Sequence, residues 1–188
     1  CRCCRSRRSQ GKQMKETQIK YAAYSASTKK LVSYKIRHED KDGKKTKNPY
    51  WKPHLSGVLT KDLELYGARE IHGAATVVIV EGEHIVGDLA KLGITAVSPF
   101  YQSPSNESLA DLLGVDTVVV WADKDKAGAD KADAITDAIL AVGHPNVRRV
   151  LWPDAPPKGD ARDAIRLGVD VHKLIADAIV VDRPKAAQ

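Results

Sequence analysis

Two segments of this chain are continuously apolar and short, Thr76-Val77-Val78-Ile79-Val80 and Val118-Val119-Val120-Trp121. Runs of this length, rich in β-branched residues, predict strands buried on both faces, as in a parallel sheet covered by helices. Each run stops at acid: the first at Glu81-Gly82-Glu83, the second at Asp123-Lys124-Asp125. Ile94 to Ser98 and Val147 to Trp152 predict two further strands. Between them the apolar spacing is helical. Ile85, Val86, Leu89 and Leu92 fall on one face and stop before Gly93; Leu109 and Leu112 follow Ser108, which is expected to cap their helix; Ala132, Ile135, Ala138, Ile139 and Val142 share a face from Ala129 onward. A last helix is expected from Val171 to about Ile179. Strands alternating with helices specify an α/β fold.

The first part of the chain is patterned differently. Residues 1–20 are polar and without period, a flexible basic leader. Leu31 to Arg37 alternates as a half-exposed strand does, Asp40-Lys41-Asp42-Gly43-Lys44-Lys45 has turn chemistry, and Lys47 to Trp51 forms a return arm bounded by Pro49 and Pro53. The expected organisation is a leader (1–20), a small basic antiparallel β lobe (21–72), an α/β domain (73–180) and a tail (181–188).

Charge sharpens this division. The 188 residues carry a formal net charge of +6, but residues 1–50 hold +11 and the remainder −5. A basic lobe ahead of an acidic body fits an anionic partner gripped beside a carboxylate cluster. No apolar run is long enough to span a membrane and no secretory signal is present, so a cytoplasmic protein is expected. Cys1, Cys3 and Cys4 are too crowded for a four-ligand zinc site.

Candidate chemistry lies where the strands end, since ligands of open parallel sheets bind at the carboxyl edge. Asp123 and Asp125, one residue apart, point the same way if both are extended, and two such carboxylates repel unless a cation or proton lies between them. Helix capping would also account for acids there, and for Asp160 with Asp163 after the fourth strand. Three acidic segments converging on one edge favour a hard divalent ion with oxygen ligands. Removing Asp123 or Asp125 is then expected to leave the fold intact or slightly firmer. His54 and His144 read as surface residues, and Trp121 and Trp152 as core.

The strand ending in Glu81-Gly82, the later strand ending in Asp123-Lys124-Asp125 with Ala127-Gly128 after it, and the segment Lys158 to Asp163 together resemble the Toprim domain. The front lobe, with Arg37, Asp42-Gly43-Lys44-Lys45 and Tyr50-Trp51, is similar to the primase branch of phage and plasmid replication proteins. The resemblance covers roughly Tyr24 to Ala178. It implies a DNA primase that makes RNA primers on single-stranded DNA from ribonucleoside triphosphates, with a replicative helicase as candidate partner. It also implies Mg²⁺ or Mn²⁺ on Asp123 and Asp125 completed by Asp160 or Asp163, Glu81 as ligand or general base, and Arg37, Lys44 and Lys45 on nucleotide or template phosphates. The zinc module that precedes such domains is missing or reduced to the three cysteines, and no Gly-x-x-x-x-Gly-Lys-Ser/Thr helicase motif occurs. A Toprim nuclease and a non-catalytic nucleic-acid-binding Toprim module remain alternatives. A dehalogenase-like phosphotransferase leaves Glu81 unexplained, and an EF-hand fails at Ala127 and Ala134.

Overall fold

The computed structural model describes residues 16–181. The leader up to residue 15, with its three cysteines, and the tail from residue 182 lie outside the described residues. The first sheet is antiparallel, in the order β1 (Thr17–Tyr24), β2 (Leu31–Glu39), β3 (Tyr50–Lys52). Strand β1 begins four residues before the expected lobe boundary. Its polar start, Thr17 to Lys20, is held by backbone pairing with Ile36 to Glu39 and needs no apolar pattern of its own. The buried positions of this sheet are Tyr21 and Ala23 on β1 and Ser33, Ile36 and Glu39 on β2. The segment from Asp40 to Pro49 is one long excursion, anchored where the Asp40 carboxylate accepts the backbone N–H groups of Asp42 and Lys44, both at 2.9 Å.

The second sheet has five strands in the order β5-β4-β6-β7-β8. Its elements run β4 (Thr76–Val80), α1 (Glu83–Ala90), β5 (Ala96–Val97), α2 (Asn106–Leu109) with a 3-10 turn over Ala110–Gly114, β6 (Thr117–Trp121), α3 (Lys126–Ala141), β7 (Val147–Arg149), α4 (Ala161–Arg166), α5 (Val171–Ala176) and β8 (Ile179–Val180). The first four strands are parallel, and β8 returns antiparallel to β7. Helices cover both faces, which is why β4 and β6 are apolar after their opening Thr76 and Thr117. Val77, Ile79, Val118 and Val120 face Ile135 and Ile139 of α3; Val78, Val80, Val119 and Trp121 face α1, α4 and α5.

Several expectations shift. The helix expected to be capped by Ser108 starts at Asn106 with Ser105 in the cap position, and Ser108 is buried, its hydroxyl donating to Lys61 O at 2.8 Å. The last helix ends at Ala176, because Ile179 and Val180 pair with β7. The fourth strand keeps only Val147 to Arg149; Leu151 is exposed and Trp152 lies outside the strand, half-buried. Trp121 is core, as expected, and His54 is exposed. His144 is fully buried, against expectation. Its Nδ1 accepts the Asn146 N–H at 3.2 Å, so Nε2 carries the proton and donates to Val115 O at 3.1 Å. Both ring nitrogens are satisfied, which removes the cost of burial.

Candidate active site

The pairing of Val80 with Trp121 brings the ends of β4 and β6 level, so that Glu81 and Asp123 emerge side by side. Glu81 is held from two directions: Oε1 accepts the Asp123 N–H at 3.2 Å and Oε2 accepts Lys131 Nζ at 2.6 Å. Beyond β6 the chain is laced to the loop before α4. Lys124 N–H donates to Gly159 O at 2.9 Å and Lys158 N–H donates to Lys124 O at 3.0 Å, which carries Asp160 in beside Asp123. Gly128 makes this possible. A Cβ there would lie 2.2 Å from Asp123 O, so only glycine lets α3 start this close to the strand end.

The carboxylates divide between two tasks. Asp125 caps α3, its Oδ1 accepting the Gly128 N–H at 2.8 Å. Asp160 and Asp163 form a reciprocal capping box on α4. Asp125 and Asp160 each cap through Oδ1, whereas Asp163 caps through Oδ2 and its Oδ1 lies 3.9 Å from Arg166 Nη1. Asp123 makes no side-chain hydrogen bond among the described residues. Burial first, then the charges of Glu81 and Asp160, push its carboxyl up to about 7, against a pull from Lys131 and a smaller push from Asp125. Asp160 is also raised, chiefly by burial. This all-oxygen donor set suits a hard divalent cation. Among the described residues, no three of these side chains already close on a single point.

The expected effect of removing Asp125 therefore changes. Loss of repulsion would be offset by loss of the α3 cap, worth about 1 kcal/mol, so Asp125→Ala should not be stabilising.

On the lobe side, a cleft of about 420 Å³ is lined by Arg37, Lys44 and Lys45 with Asp42 from the lobe, and by His84, Asp160 and Asp163 with Arg162 and Arg166 from the α/β domain. Arg37 is also bound to Glu39, Nε to Oε1 at 2.5 Å. His84 is held neutral, its imidazole pulled down to about 4 by burial and then by Arg37 and Arg162. Asp163 faces this cleft. A second cavity of about 560 Å³ is lined by Asp123 and Asp125 themselves, together with Arg149, Leu151 and Trp152.

Four charged residues escaped the sequence reading. Lys131 fixes Glu81; it lies three residues after Gly128 and so on the same helix face, a signal that was available. Glu83, buried to 5% exposure, pairs with Lys35 of the lobe. Arg162 and Arg166 reach from α4 to the lobe's turn. Nothing local marks those long-range contacts.

No family model and no curated protein matches the chain. Solved structures do. The zinc-binding and RNA polymerase domains of the Aquifex aeolicus primase superpose with a TM-score of 0.66 at 17% identity over 87% of this chain and 41% of that one. A DNA primase domain from Pseudomonas aeruginosa gives 0.67 at 21% identity, over 87% and 52%. A primase catalytic domain bound to single-stranded DNA gives 0.64 at 19% identity, over 87% and 52%. The chain thus spans about half the length of the structures it matches. The chain shares the fold of these primase catalytic domains, a small antiparallel β lobe beside a five-stranded, mostly parallel sheet flanked by helices.

Proposed function

We propose that this chain is the catalytic core of a DNA primase, a nucleotidyltransferase that joins ribonucleotides into short primers on single-stranded DNA. The observation that carries this is the cleft between the two sheets, where a basic wall faces the carboxylates beside Asp123. A triphosphate needs cations on one side and a metal-binding edge on the other. Asp123, Asp125 and Asp160 would hold Mg²⁺ or Mn²⁺, with Asp163 at the cleft's border. The cation, when bound, neutralises the triphosphate and lowers the pKa of the attacking 3′-hydroxyl.

The remaining roles fall to the chain itself. Arg37, Lys44 and Lys45 bind nucleotide or template phosphates, with Arg37 oriented by Glu39. Lys131 and the Asp123 amide orient Glu81, which accepts the proton of the 3′-hydroxyl. The template strand follows the lobe's exposed basic face, where Tyr50 is available for stacking. A replicative helicase would supply the unwound template.

The test is incorporation of labelled ribonucleotides on single-stranded DNA with Mg²⁺ or Mn²⁺, comparing the chain with Glu81→Gln and Asp125→Asn. Short RNA from the parent that disappears in both variants is expected. Degraded template without RNA would replace this reading by a nuclease. DNA binding with neither product would replace it by a non-catalytic binding module.

A further inference from the structure

The lobe's turn, Asp40 to Lys45, is docked onto α4 by two arginines that read consecutive backbone carbonyls. Arg162 Nη1 donates to Gly43 O at 3.3 Å and Arg166 Nη2 donates to Asp42 O at 3.2 Å. Arg162 is aimed from behind: its Nε forms an ion pair with Asp88 Oδ2 of α1 at 2.7 Å, and its side chain is only 20% exposed. The turn it meets is preformed, with Gly43 at φ +74° and its N–H donating to Asp40 O at 3.1 Å. A Cβ on Gly43 would lie 3.2 Å from Arg162 Nη2, so the guanidinium sits flush against the turn.

We infer that Arg162 is a positioning residue: braced by Asp88, it clamps the turn to α4 and thereby fixes where Lys44 and Lys45 stand relative to Asp160. This rests on the primase reading for its consequence, not for its geometry. Arg162 follows Asp160 by two residues, so one short helix carries both the acid edge and the clamp on the basic wall. Arg162 is the better buried of the two side chains that tie this turn to α4. Lysine could not replace it, since a single ammonium cannot serve Asp88 and the Gly43 carbonyl together in the fixed geometry of the guanidinium fork.

Arg166 is the lesser partner, with its side chain 52% exposed. The clamp should act on nucleotide affinity and not on the chemical step. Losing it frees the lysines to wander from the phosphates, which weakens binding in the ground and transition states alike and so raises KM while kcat holds.

Two measurements on the full chain decide the matter, each with Arg162→Ala, Arg162→Lys and Arg166→Ala. The first is amide hydrogen exchange. Residues 42–45 should exchange about tenfold faster in Arg162→Ala and Arg162→Lys, less so in Arg166→Ala, with β4 and β6 unchanged. Unchanged exchange at 42–45, or faster exchange throughout the sheet, overturns the clamp. The second is primer synthesis against nucleotide concentration. A KM for nucleotide raised about tenfold with kcat unchanged in both Arg162 variants supports positioning; a fall in kcat at constant KM overturns it. If the parent chain makes no primers, the primase reading fails alone, and the exchange result still decides the clamp.

Discussion

Replacing Asp123 by Asn should make the metal-free protein more stable at alkaline pH. The carboxyl ionises near 7 in the folded state against 3.8 for the unperturbed group. Between those values the native state holds a proton that the unfolded state has released. Stability therefore falls as pH rises from 3.8 through 7 and is flat above. About 3 units at roughly 1.36 kcal/mol each set a ceiling of about 4 kcal/mol. Rotation of a half-buried side chain and screening bring the expected effect to about 2 kcal/mol. An Asn of the same shape never ionises and avoids the penalty. Thermal unfolding with a chelator present, from pH 5 to pH 9, should show the variant gaining about 4–8 °C over the parent at pH 8, with little difference at pH 5. Added Mg²⁺ should then raise the melting temperature of the parent but not of the variant, because a ligand of the native state stabilises by mass action. A variant equally or less stable than the parent at pH 8 without metal would refute the idea that burial and the neighbouring carboxylates penalise the ionised Asp123.

Gly128→Ala should lower stability by about 3 kcal/mol despite alanine's better helix propensity, since its Cβ would lie 2.2 Å from Asp123 O; chemical denaturation would read this, and a neutral result would show that α3 can shift. Lys35→Met should cost about 3 kcal/mol by leaving Glu83 buried without its partner, and the double variant with Glu83→Leu should recover most of that, as a double-mutant cycle would measure.

The parts of the fold that could be read from sequence are those whose cause is local. Strands β4 and β6 are apolar because helices cover both faces, and that leaves an unmistakable run ending at Glu81 and Asp123. The acidic edge follows from where such strands stop. What could not be read depends at least in part on partners far along the chain. Burial of His144 requires Val115 O and the Asn146 amide, and β8 exists only because β7 has a free edge. The two roles of Asp125 and Asp160 were both visible as alternatives. The structure shows the capping role directly, and this leaves Asn, which keeps a cap oxygen, as the substitution that separates folding from chemistry.

The large sheet has two-residue strands at both margins, Ala96–Val97 and Ile179–Val180. The first is continued by a bridge between Tyr66 and Ser98. A sheet ending so abruptly offers a neighbouring molecule almost no free backbone to pair with, although Ile179 and Val180 are exposed and β-branched. Brevity of the outer strands thus guards a strongly apolar sheet against edge-to-edge aggregation, a protection that charge on those strands does not supply.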